Sequence, residues 1–373
     1  MTQKIDWGRA LAWRMRRQLL EPIGRASVAE VVGRVCGIQA QVASSAALAV
    51  AVRRAGSHPH DVARSAEDGA IVKTWAMHGA LHLLSPREGA AFLALMADGR
   101  PWERSGWQKH LGMTARRWDA LRDAVREALD GTVMTREELA AEITARPELA
   151  DLDVALRSGW GTIFKPLAWR GELCFGPSQG GRPTFMRPHD ASPGWTGLPD
   201  PDEALPVAVE AYFGAFGPAT IEAFARWLAG GWFGTRRLRA SVAALGDRLT
   251  EVDVDGERRF LLAEHVDELI ATAPTTTVRL LPGFDQYVLG PGSGDATVIP
   301  PGRRAAVSRQ AGWISPIVVS GGVVRGTWEQ DGDRLRVAWF REGGRIPRKA
   351  IEAEIAWLAA ILARDLDGSI ELA

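Results

Sequence analysis

A chain of 373 residues exceeds what one hydrophobic core usually holds, so roughly two to four domains or repeats are expected. The 46% apolar and 24% charged shares are those of a soluble globular protein. Two cysteines, Cys36 and Cys174, exclude a disulfide framework and have no metal-ligand spacing. The 45 basic residues balance the 45 acidic ones, which argues mildly against a nucleic-acid binder. Nearly all of that positive charge is arginine, however, the side chain suited to bidentate contact with phosphate, and distribution matters more than the sum.

The opening stretch, MTQKIDWGRALAWRMRR, alternates charged with apolar residues and does not read as a signal peptide. No later run reaches the ~18 to 20 apolar residues needed to cross a bilayer. The expected location is cytoplasmic, and the expected assembly is a monomer.

Beyond residue 26 one grammar recurs three times: a cap, an amphipathic helix, a second helix, then a hairpin. The first copy begins at Ser27, with Glu30 three residues on as a capping box. Gly37 then favours a break, SSAALAVAVRRAG gives a second helix, and IVKTWAMHGALHLLS gives two strands turning at Gly79. The second copy begins at Thr135 with Glu138, continues through VALRSGWGTIFKPLAWRG, and closes on ELCFGPSQGGRPTFMRP. The third begins near Gly217 and ends on LTEVDVDGERRFLL, where Asp255-Gly256 is a strong hairpin signal.

Helix, helix and a two-stranded wing is the winged-helix arrangement, which reads DNA or serves as a protein-binding module. The expected fold is α+β, mainly helical, with three tandem winged-helix units. The first spans 1–130, including an N-terminal helix and a Trp-rich helical insert at 87–130. The second spans 131–190 and the third 203–270, after a Pro/Gly/Asp-rich linker at 188–206. Residues 271–373 form a β-rich region closed by the helix RKAIEAEIAWLAAILARDL.

Gln39 and Gln41 are the first candidates for chemistry. Side chains two apart share one side of an extended stretch but not of a helix. They either cap a broken helix or act as a pair on a ligand. A carboxamide supplies an acceptor and two donors but no titratable proton, so it is a poor general base. Such a pair suits a reaction whose leaving group is already activated, such as hydrolysis of an N7-alkylated, cationic purine nucleoside. His78 and His82 have a helical metal spacing but fall in a hairpin, so no metal is expected there; His82 is left to bond a strand or a phosphate. Arg236 and Arg237 in RRLR, and Arg303, Arg304 and Arg309 in PPGRRAAVSRQAGW, fit phosphate contact and equally fit a solvated surface. With Lys73, His78 and His82 they complete the expected DNA-contacting set. No Gly-rich loop precedes Lys-Ser or Lys-Thr, and no Gly-x-Ser-x-Gly occurs, so no nucleotide cofactor is expected and a serine hydrolase is unsupported.

Four motifs in order, GIQAQ, KTWAMHGALHLLSP, LLPGFDQYVLG and GWISPIVVSGGVVRGTW, resemble the winged-helix DNA glycosylase family of the AlkZ/AlkX type over essentially the whole chain. The resemblance implies three winged-helix units scaffolding a concave DNA-binding face and a catalytic Gln-x-Gln motif at Gln39 and Gln41. It implies double-stranded DNA carrying bulky N7-alkylpurines or interstrand crosslinks as substrate, and self-resistance to a DNA-alkylating natural product. It also implies a lesion-probing C-terminal hairpin, mapped onto residues 298–312. His78 and Ala80 depart from the Arg and Thr that the family favours. The alternative from another class is a non-catalytic DNA-binding regulator or sequestration protein.

Overall fold

The computed structural model describes residues 4–58, 60–229, 238, 242–243 and 245–373; Arg236 and Arg237 lie outside the described residues. The fold is α+β, its helices packed around three sheets. No helix among the described residues is long and apolar enough to cross a membrane.

Strand β1 (Lys4–Ile5) leads into the helix Trp7–Arg17, whose first turn is capped by the Asp6 carboxylate accepting from the Arg9 N–H. In the helix Val28–Arg34, Ser27 and Glu30 form the reciprocal capping box that their spacing predicts. Strand β2 (Ile38–Gln39), the helix Ala43–Ala51 and the hairpin of β3 (Val72–Trp75) and β4 (Leu81–Leu84) follow. The Trp-rich stretch 87–130 is helical as expected. Its first helix, Pro86–Asp98, packs against the helix Pro201–Phe216 and is buried from Gly89 to Met96. The predicted Thr135–Glu138 capping box also forms, between β5 (Met134–Thr135) and the helix Arg136–Thr144. A Gly180-Gly181 turn joins β6 (Cys174–Gln179) to β7 (Arg182–Met186), both glycines having positive φ. Strands β8 (Leu249–Val254) and β9 (Glu257–Leu262) meet at Asp255-Gly256.

The C-terminal meander runs through β10 (Val278–Leu281), β11 (Ile317–Ser320), β12 (Val323–Asp331) and β13 (Arg334–Trp339). After the expected closing helix, Arg348–Leu362, the chain adds a strand the sequence reading did not foresee. This is β14 (Asp367–Leu372), which lies parallel to β13.

Several elements differ from expectation for identifiable reasons. The two hairpins of the first and second copies form one six-stranded sheet, ordered β2-β4-β3-β6-β7-β5, joined where Lys73 faces Phe175. The second helix of the second copy is broken into Asp153–Arg157 and Lys165–Trp169. Gly159 and the left-handed Gly161 divide it. The linker stops at residue 200, and Pro201–Phe216 is a helix despite Pro206. It starts on Pro201 with Asp202 and Glu203 in its first turn, both favourable there, and its buried residues run from Ala204 and Leu205 to the aromatic Tyr212, Phe213 and Phe216. The N-terminal strand and helix dock on the third copy, β1 pairing with β8 and Arg17 Nε donating to the Gly214 carbonyl at 2.9 Å. Residues 298–312 are not a ladder of paired strands. They form a helical turn, Arg304–Val307, and a loop closed by a single bridge between Ser308 and Ile314.

Candidate functional site

The helix Val28–Arg34 ends in two left-handed residues, Cys36 (φ 59°) and Gly37 (φ 89°). A Cβ on Gly37 would stand 2.6 Å from Leu84 Cδ2 and 3.1 Å from the Leu83 carbonyl oxygen, so the turn needs glycine. The chain leaves it extended. Ile38 pairs with Leu83, Gln39 with His82, and the Ala40 N–H donates to the Leu81 carbonyl at 2.7 Å. Alternation then sorts the side chains. Ile38 and Ala40 are buried in the core, while half-buried Gln39 and exposed Gln41 both line a cleft of ≈ 830 Å³. The following helix starts at Ala43 with Val42 as its cap and no side-chain cap hydrogen bond, so neither carboxamide caps it.

The same cleft gathers Arg136, Lys165, Arg226 and Arg304 from three distant parts of the chain, and among the described residues lining it there is no carboxylate. A chain of zero net charge thus carries a cleft of one sign, which concentrates field on a polyanion. Two tryptophans that are exposed, Trp160 and Trp313, line it as well; Trp313 meets Phe284 edge-on at 5.0 Å. Composition hid this clustering. Lys165, Arg136, Arg226 and both indoles were missed, although the rarity of lysine and the exposed setting SGWG were legible signals.

Arg136 is largely buried, its guanidinium 5.5 and 5.2 Å from the Phe164 and Phe185 ring centres, and burial lowers its pKa. Lys165 lies against the Met77–Gly79 turn, where a Cβ on Gly79 would be 3.5 Å from its Nζ; burial lowers its pKa also.

The remaining candidates divide. His78 lies at the tip of the first hairpin in a left-handed conformation (φ 57°) and lines the cleft; desolvation lowers its pKa, so at neutral pH it contributes no full charge. Arg304 lines the cleft, and Arg309 is exposed on the neighbouring loop. Three do not fit free phosphate contact. His82 is 4% exposed, its Nδ1 is 3.0 Å from the Ala80 carbonyl oxygen, and burial pushes its pKa down to about 4, so it belongs to the strand. Arg303 is bound bidentately by Glu342, at 2.5 and 2.8 Å, and stacks on Phe340. Lys73 lines a separate groove of ≈ 630 Å³ and sits over the Phe175 ring at 5.4 Å. Among the described residues no group of three or more His, Cys, Asp or Glu is placed to hold a metal ion.

Known proteins match this chain over nearly its whole length. A family described as "DNA glycosylase AlkZ-like" matches residues 32–361. The curated "Interstrand DNA cross-link repair glycosylase" of Streptomyces sahachiroi is 48% identical over 357 residues, covering 95% of this chain and 96% of that protein. The solved structure of Streptomyces sahachiroi DNA glycosylase AlkZ superposes with a TM-score of 0.96 at 47% identity, over 99% of this chain and 100% of that one. A match of this extent carries the enzyme class with the fold and sets the non-catalytic alternative aside: the chain belongs to the AlkZ-like family of DNA glycosylases.

Proposed function

We propose that this glycosylase hydrolyses the N-glycosidic bond of bulky N7-alkylpurines and of interstrand crosslinks in double-stranded DNA, with Gln39 and Gln41 as the catalytic pair. The observation that carries the reading is the alternation of residues 38–41, which sends two carboxamides into a cationic cleft and their neighbours into the core. Alkylation at N7 gives the purine a formal positive charge before any bond breaks. The C1′–N9 pair of electrons leaves with the base, which departs neutral, and positive charge develops on the sugar. The carboxamide oxygens stabilise that oxocarbenium-like centre and hold a water against C1′. Water adds to C1′, its proton passes to solvent, and the products are free base and an abasic site. No general acid is needed to expel such a leaving group, which suits a site built from amides.

The relative from Streptomyces sahachiroi is named for crosslink repair, and 48% identity supports the same substrate class here. Self-resistance to a DNA-alkylating natural product is the role that fits it. The three helix–hairpin copies, 1–130, 131–190 and 203–270, are read as winged-helix units presenting backbone-contacting cations, and the protein as a cytoplasmic monomer acting without a cofactor.

Replacing Gln39 or Gln41 with Ala tests the site. The readout is single-turnover excision from a duplex bearing one N7-guanine adduct, with alkali cleaving the abasic product. We expect a rate loss of about 10²-fold or more for each, with thermal stability unchanged. Wild-type rates in both variants refute the assignment, and a collapse of stability makes the pair structural.

A further inference from the structure

Trp160 is 81% exposed, the most exposed aromatic side chain among the described residues, yet it stands in the cleft that holds the glutamine pair. A single exposed indole needs no explanation on an open surface. This one is different because the chain fixes its mount. Ser158 to Gly161 form a tight turn, the Gly161 N–H donating to the Ser158 carbonyl at 3.1 Å. The same carbonyl accepts from Arg136 Nη1 at 2.9 Å, and Arg136 is itself packed against the Phe164–Phe185 ring pair. Gly161 has φ +61°, and a Cβ there would stand 2.3 Å from the Trp75 ring, so the turn is pressed onto the core sheet. On the other side, Gly159 has open space around it. The result is a bare indole on a rigid base, with little left to order when it meets a flat partner.

The geometry points to Trp160 as a wedge that stacks on a nucleobase face at the lesion, an assignment that rests on the substrate reading above. A nucleobase is the planar π-surface that a DNA-facing cleft meets, and apolar side chains inserted at base steps unstack and kink a duplex. The cations around it, Arg226, Lys165 and Arg304, would hold the flanking phosphates while the indole replaces the stacking that the distorted nucleotide gives up. Trp160 touches neither C1′ nor the water; it positions the lesion for Gln39 and Gln41.

The test compares wild type, Trp160→Ala and Trp160→Phe on two oligonucleotides carrying one N7-guanine nitrogen-mustard monoadduct. In one the adduct is fully paired; in the other it sits in a short bulge whose stack is already broken. Single-turnover excision by Trp160→Ala is expected to fall roughly tenfold on the paired duplex and little on the bulge, with Trp160→Phe close to wild type on both. An unchanged melting temperature shows that the exposed position is not structural. Equal losses on both substrates, or no loss on the paired duplex, overturn the wedge. Failure of the wild type to excise from either oligonucleotide overturns the substrate reading first, and the wedge with it, so the two failures are distinguishable.

Discussion

A carboxamide keeps its charge state at every pH, so Gln39 and Gln41 offer the cleft fixed dipoles and leave the titratable chemistry to their neighbours. The nearest such neighbour in register is His82, opposite Gln39 on β4. Desolvation dominates there, outweighing the hydrogen bond to Ala80 that favours the charged form, and the pKa falls to about 4. The sign of the consequence follows directly. The unfolded chain binds this proton at about pH 6.5, the folded chain only near 4, so the stabilisation is complete above the first value and is lost as pH falls towards the second. Relative to His82→Gln, the parent should lose about 3 kcal/mol of stability between about pH 7 and pH 4, read from urea midpoints. Parallel pH profiles for the two proteins would mean that His82 is already solvated in the folded state.

At the scale of elements, the glutamine pair depends on the turn that precedes it more than on its own strand, which is only two residues long. Gly37→Ala puts a methyl group against Leu84 and the Leu83 carbonyl in a left-handed backbone. A cost of about 1–3 kcal/mol is expected, together with a drop in excision larger than the stability loss alone explains, because residues 38–41 must shift. Calorimetry alongside the excision assay separates the two effects; normal turnover with a lowered melting temperature would show that the stretch tolerates displacement. This break was legible because it is local: glycine, two amides at spacing two and an apolar helix sit within one short window. The capping boxes at Ser27 and Thr135 and the turn at Asp255-Gly256 were legible for the same reason. What escaped sequence reading depends on distant partners. The union of two hairpins at Lys73 and Phe175, the parallel pairing of β14 with β13, and the burial of Arg136 against two phenylalanines are contacts no window contains. Pro206 misled for a related reason, since aromatic packing along Pro201–Phe216 outweighs one missing hydrogen bond.

At the scale of the molecule, the cleft exists only if the C-terminal region is held against the first helical unit, and a buried ion pair joins them beside a shared hydrophobic cluster that includes Leu11, Met15, Leu20 and Val52. Arg53, near the end of the helix that follows Gln41, donates to Asp285 through two nitrogens at 2.7 and 2.8 Å, with both side chains essentially inaccessible. Arg53 also donates to the Gln18 and Ala49 carbonyls, and Asp285 accepts from the Tyr287 N–H, so both partners are tied to backbone. Asp285 belongs to LLPGFDQYVLG, whose Phe284 supports Trp313 in the cleft wall, while Gly283 abuts Ser45 one turn beyond Gln41. That motif therefore joins the two walls. Removing one partner strands a charge in the interior, which generally costs about 3–5 kcal/mol, whereas replacing both by apolar groups of similar size is often neutral. Asp285→Ala should accordingly destabilise the protein by that amount, and the double variant Arg53→Met with Asp285→Leu should recover most of it. If the double variant instead stays as far below the parent as Asp285→Ala does, the pair contributes more attraction than its desolvation costs. The coupling between the two lobes would then rest on this ion pair as well as on the hydrophobic packing around it.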